Sequence, residues 1–106
     1  MADDPMWSMV MFDLPVLTAV ERRDATKFRK VLQDLGYSML QFSVYVRYIP
    51  IGGLSQASFG AIKRALPHGG EVRIFHISDR QWSTAFRFEN AAAVEPESTP
   101  AQLAFF

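Results

Sequence analysis

Hydrophobic and polar positions change period several times along the chain, and each change marks an element. Trp7-Ser-Met-Val-Met-Phe-Asp13 is a short apolar run, partly β-branched and aromatic and closed by Pro15, which is the pattern of a strand buried on both faces. Thr18-Ala-Val-Glu21 has capping-box spacing, and Phe28, Val31, Leu32 and Leu35 recur at helical intervals until Gly36, so a helix is predicted over 19–35. On a 3.6-residue wheel its apolar stripe opposes Arg23, Lys27 and Lys30, with Arg22 and Arg29 flanking. From Tyr37 to Tyr48, Gln41, Ser43, Tyr45 and Arg47 alternate with Phe42, Val44, Val46 and Tyr48, a strand pattern. Its 12 residues are long for one strand, so a tight reversal or bulge near Met39–Gln41 should divide it in two.

Pro50, Gly52 and Gly53 form a loop, after which Phe59, Ile62, Ala65 and Leu66 mark a second, weaker helix over 54–66, ended by Pro67-His-Gly-Gly70. Glu71–Ser78 alternates again as a strand, and Ser83–Phe88 reads as a further short one. The order βαββαβ, then an extra β, is that of an α+β, ferredoxin-like domain: an antiparallel sheet with two helices on one face and an additional C-terminal strand. The expected divisions are an N-terminal extension over 1–6, the domain over 7–88 and a flexible, partner-binding tail over 89–106, where Pro96 and Pro100 break every period.

Composition narrows the class. With 106 residues, 49% hydrophobic and 13% aromatic, the chain has the material for one packed domain and is too short for two ordinary ones. The absence of cysteine excludes a disulfide scaffold, thiol catalysis and cysteine-ligated zinc. Pro50, Gly52 and Gly53 interrupt the longest uncharged run, Tyr48–Ile62, so no membrane span is expected, and Met1-Ala2-Asp3-Asp4 lacks the basic start of a signal peptide. A cytoplasmic protein is the expectation. The formal charge of zero hides an uneven distribution: five of 11 acids lie at the two ends, leaving residues 7–88 at net +5. A basic body suits a polyanionic partner, although a solvated basic face is the ordinary explanation of any one cluster.

Asp13 is the sharpest local anomaly, because a carboxylate after six mostly apolar strand residues is costly unless the strand delivers it to an edge or mouth. The plainer alternative is a turn-forming Asp before Leu14-Pro15 or an upstream cap for the helix. A single carboxylate makes a poor magnesium site, and a two-fold axis near Asp13 would supply the second. Arg22, Arg23, Lys27, Arg29, Lys30, Arg47 and Arg73 have the chemistry to meet phosphates, with Trp7, Tyr45, Tyr48 and Trp82 as stacking groups; solvated charge and core aromatics are the competing reading. His68 and His76 fit neither a metal nor a triad spacing and read as structural.

Taken together, Val10-Met-Phe-Asp-Leu-Pro15, the basic helix ending Leu35-Gly36-Tyr37, Gln41-Phe-Ser-Val-Tyr45 and Gly70-Glu-Val-Arg-Ile-Phe75 resemble the CRISPR-associated protein two family, over residues 7–88 and with a Phe-Asp-Leu-Pro variant similar to its type II branch. The resemblance implies a homodimer in which the extra strand crosses to the partner's sheet, with Trp82, Phe86 and Phe88 at the dimer interface. It also implies spacer acquisition: bridging two dimers of the integrase subunit, CRISPR-associated protein one, and supporting duplex DNA. Members are also classed as magnesium-dependent endonucleases, with RNA as well as DNA among the substrates in view. Asp13 matches the family's metal-binding, catalytic Asp, with Mg²⁺ as cofactor. Phe12 departs from the Tyr often found before that Asp, which removes a hydroxyl from the chemistry. Three readings stay open: a magnesium nuclease, a DNA-binding scaffold in which Asp13 is only an interface carboxylate, and a ferredoxin-like regulatory or small-ligand module.

Overall fold

The structure, a computed structural model, describes residues 4–90 and 92–96. Strand β1 spans Met6–Asp13 and β3 spans Val44–Ile49; β2 covers Ser38–Gln41 and β4 covers Glu71–Ser78. They form one antiparallel sheet in the order β2-β3-β1-β4, which is the ferredoxin-like arrangement expected from the element order. Helix α1, Ala19–Asp34, and helix α2, Gln56–Arg64, pack on one face of it.

Two caps set α1. At its start Thr18 Oγ1 accepts from Glu21 N at 3.0 Å while Thr18 N donates to Glu21 Oε1 at 2.9 Å. At its end Gly36 takes a φ of 91°, letting Gly36 N donate to Gln33 O and Tyr37 N to Leu32 O, a Schellman closure. The face this helix buries carries Ala25, Phe28 and Leu32. Phe28 and Leu32 join Val10, Phe12, Tyr37, Tyr45 and Ile62 in the main core between helices and sheet.

The other sheet face has a smaller core of Trp7, Val46 and Trp82, with Met9, Leu40, Tyr48 and Ile77 against it. Register explains the division. Residues directly opposite across an antiparallel pair share a face. Trp7, Met9, Met11 and Asp13 therefore stand with Ile77, Phe75, Arg73 and Glu71 on the open face, and Ser8, Val10 and Phe12 with His76, Ile74 and Val72 on the helix face.

The expected bulge falls between Met39 and Gln41, and the chain reverses just after it at Phe42–Ser43, where Ser43 takes a φ of 65°, giving two strands. Two local expectations are corrected. The segment read as a strand over 83–88 instead follows a short helix, α3, Asp79–Ser83, because Ser78 and Gln81 form a second capping box; only Arg87–Glu89 is strand, β5. The tail expected from residue 89 begins in structure: Asn90, at a φ of 53°, turns the chain so that Ala92–Val94, β6, pairs with β5. Asn is among the few residues that accept this conformation readily. The rest of the expected tail from 97, and residues 1–3 of the expected extension, lie outside the described residues. No helix among the described residues is long and apolar enough to cross a membrane.

Candidate functional site

Asp13 is the last residue of β1 and is exposed at the rim of the open face. Gly70 brings β4 beside it: at a φ of +86°, a Cβ there would collide with the Asp13 carbonyl oxygen, so no side chain fits. That close approach starts β4 in register, with Glu71 directly opposite Asp13 and Arg73 opposite Met11. On the other flank Phe12 N donates to Ser43 O at 3.0 Å, holding the β2–β3 turn alongside. The result is an open cavity of about 270 Å³ lined by Asp13, Ser43, Val44, Glu71 and Arg73. Within it Arg73 Nε donates to Glu71 Oε1 at 2.6 Å. The Asp13 carboxylate has no ion-pair partner among the described residues.

Glu71 is the residue that the sequence reasoning missed, having found no second acid for Asp13. Its signal was present in the antiparallel order and the start of the Glu71–Ser78 alternation, but the register that aligns it with Asp13 depends on Gly70. Magnesium prefers oxygen ligands and usually retains waters while taking one or two carboxylates. The exposed Asp13 carboxylate at the rim can supply one of these oxygens to a hydrated ion, while Glu71 opposite it is engaged by Arg73. Among the described residues no group of three or more His, Cys, Asp and Glu could hold a metal. His68 lies in the turn after α2, and His76 pairs with Ser8 on the helix face.

Phe12 points the other way from Asp13. It is buried, stacked on Tyr45 with centroids 5.7 Å apart and edge-on to Phe28 at 5.3 Å. The Arg29 guanidinium covers it at 5.6 Å from the ring centre.

The remaining basic candidates divide by what they touch. Arg22 Nη1 donates to the carbonyls of Val16 and Leu17, both at 3.1 Å, and so fastens the loop entering α1. Lys30 pairs with Asp34 at 2.9 Å one turn on. Arg47, half-buried on the helix face of β3, donates to Ser58 Oγ on α2 at 3.2 Å. Arg23 and Lys27 are exposed on α1 and have no hydrogen-bond or ion-pair partner among the described residues. The helix and the Asp13 cavity belong to opposite sheet faces, so one chain brings Asp13 together with Arg73 and not with the α1 cations.

Trp82, expected at the dimer interface, sits on α3 and is buried within the chain against Trp7, with centroids 4.1 Å apart and planes at 14°. Phe86 and Phe88 are 92% and 67% exposed. With Met9, Leu40 and Ile77 they line a groove of about 430 Å³ over the open face. Met11 and Phe75, between that groove and Asp13 on the same face, are also exposed.

The sequence model of the family described as "CRISPR associated protein Cas2" matches residues 6–85. Among curated relatives, the chain is 41% identical to the "CRISPR-associated endoribonuclease Cas2" of Paracidovorax avenae, covering 95% of this chain and 94% of that one. It is 36% identical to the protein of the same name from Flavobacterium psychrophilum, covering 95% and 88%. It is 32% identical to that of Parvibaculum lavamentivorans, covering 95% and 100%.

Proposed function

The chain belongs to the CRISPR-associated Cas2 family, and from that premise we propose that it works as a homodimer that binds duplex DNA and bridges dimers of the integrase subunit during spacer acquisition, with a magnesium-dependent phosphodiesterase centre at Asp13. RNA is the substrate that the relatives' names point to for that centre, since they are called endoribonucleases. The observation that carries the reading is the placement of Asp13 on the same sheet face as exposed Met11, Phe75, Phe86 and Phe88. Apolar side chains of this kind favour burial by a second copy of the chain. A copy seated there by a two-fold axis would bring a second Asp13 to the same side of the assembly.

The edge of the sheet supports the same arrangement. Among the described residues β4 has a neighbour on one side only, so its outer edge offers backbone groups to a strand from a partner, as the family resemblance implies for the C-terminal strand. Asp13 is the residue that would hold Mg²⁺, with the second carboxylate supplied by the Asp13 of the other copy. When bound, the ion supplies Lewis-acid polarisation of a phosphodiester and a more acidic water. Arg73, in the same cavity, is placed to neutralise phosphate charge. Away from the cavity, Arg23 and Lys27 give α1 a sequence-indifferent grip on a phosphate backbone, which is what a scaffold for varied DNA requires.

The test is reconstituted integration and RNA cleavage by the wild-type chain and Asp13→Ala, with and without chelator. Asp13→Ala should abolish magnesium-dependent cleavage while keeping most of the support for integration, since the latter needs shape, basic surface and docking. Loss of integration by a folded, dimeric Asp13→Ala protein would overturn the scaffold, and undiminished metal-dependent cleavage would remove Asp13 from the centre.

A further inference from the structure

The pairing of Arg73 is a choice between two carboxylates. Glu71 lies two residues before it on β4, on the same face, and Asp13 lies diagonally across the β1–β4 pair, since Asp13 faces Glu71 and Met11 faces Arg73. Diagonal neighbours on one sheet face are roughly 7–8 Å apart at Cα, within the reach of a long side chain. The guanidinium has taken Glu71, at 2.6 Å, although Asp13 borders the same cavity. An Arg fork bound to Asp13 would occupy the carboxylate oxygens with charge-assisted hydrogen bonds and place a positive charge where a cation must sit. Glu71 offers Arg73 an alternative anion, which it takes.

We infer that Glu71 is a positioning residue: by engaging Arg73 it keeps the guanidinium off Asp13 and leaves the Asp13 carboxylate open to a divalent cation. The inference rests on the reading of Asp13 as the metal-holding residue and adds how that residue is kept available. Both members of the pair are exposed, so the device adds little to stability and acts on the occupancy of Asp13.

The experiment titrates Mn²⁺ into the purified full chain and follows free Mn²⁺ by electron paramagnetic resonance at constant ionic strength, for the wild type, Asp13→Asn, Glu71→Gln, Glu71→Gln with Arg73→Gln, and Glu71→Gln with Arg80→Gln. Arg80 lies on α3, which follows the Ser78 end of β4, away from Glu71, so the last variant restores net charge without touching the cavity. Glu71→Gln should weaken Mn²⁺ binding roughly five-fold, the upper range for an exposed ion pair. Removing Arg73 as well should restore it, and removing Arg80 should not. Unchanged affinity in Glu71→Gln overturns the inference. So does failure of the Arg73 double variant to recover, which would make Glu71 a ligand in its own right, or equal recovery with Arg80→Gln, which would reduce the effect to net charge. Wild-type binding indifferent to Asp13→Asn overturns the underlying reading of Asp13, and the inference with it.

Discussion

Trp7 of β1 and Trp82 of α3 stack face to face, 4.1 Å between ring centres, and Trp7 Nε1 donates to Asp79 Oδ1 at 2.9 Å. The indole pair thereby fastens the short helix after β4 to the central strand, and Tyr48 completes the cluster edge-on at 5.2 Å from Trp7. A five-residue helix has little stability of its own, so this packing is what holds it. Trp82→Ala should lower the unfolding free energy by about 3 kcal/mol, in the range for large aromatic truncations. Urea denaturation followed by circular dichroism measures it. A loss of dimerisation with unchanged protomer stability would instead return Trp82 to the interface.

Tyr37 and Ser8 form the buried polar contact beneath the helices, Tyr37 Oη to Ser8 Oγ at 2.8 Å. Burial pushes the Tyr37 phenol above its ordinary value, while the Ser8 hydrogen bond and the charge of Arg47 pull weakly the other way. The unfolded phenol ionises near pH 10. Since the folded chain holds that proton to higher pH, the stabilisation is complete below about pH 10 and is lost as the pH rises through the raised folded value. Tyr37→Phe should flatten this alkaline fall in denaturation midpoints. It should also cost about 1 kcal/mol at neutral pH, because the Ser8 hydroxyl is left buried and unpaired.

Arg23 and Lys27 should dominate the DNA contact of α1, given that Arg22 and Lys30 are engaged within the chain. For Arg23→Gln with Lys27→Gln, the slope of log affinity against log salt should fall by about two, one per lost phosphate contact. Fluorescence anisotropy on duplexes of unrelated sequence measures it and should show the same change on each. An unaltered slope would place the DNA on another surface.

Phe86→Ser and Phe88→Ser should leave the protomer folded, because both side chains are exposed, and should weaken self-association. Light scattering at micromolar concentration is expected to give twice the chain mass for the wild type and the chain mass for the double variant. A monomeric wild type would remove the homodimer from the proposal.

The succession from β1 to β4, with α1 and α2 between, was legible in the sequence because it depends on local chemistry. Capping by Thr18 and Glu21, the stop at Gly36, and the alternation over Glu71–Ser78 act within a few residues, so their positions could be read before any tertiary contact was known. Asp13 also stood out as a charged end to an apolar strand. Ranking the charges was another matter: which of Arg22, Arg23, Lys30, Arg47 and Arg73 already has a partner depends on whether a carbonyl, carboxylate or hydroxyl comes within about 3 Å, and composition carries no such information. Trp82 joins a core within the chain because the capping box of Ser78 and Gln81 made a helix that turned it onto Trp7, 75 residues away in the chain. Glu71 became the carboxylate beside Asp13 only through the β1–β4 register, for which the close passage at Gly70 is required. A slip of one residue would have sent Glu71 to the other face. Local pattern set β1 to β4, α1 and α2 and their order, while the long-range pairing of the strands decided which side chains meet.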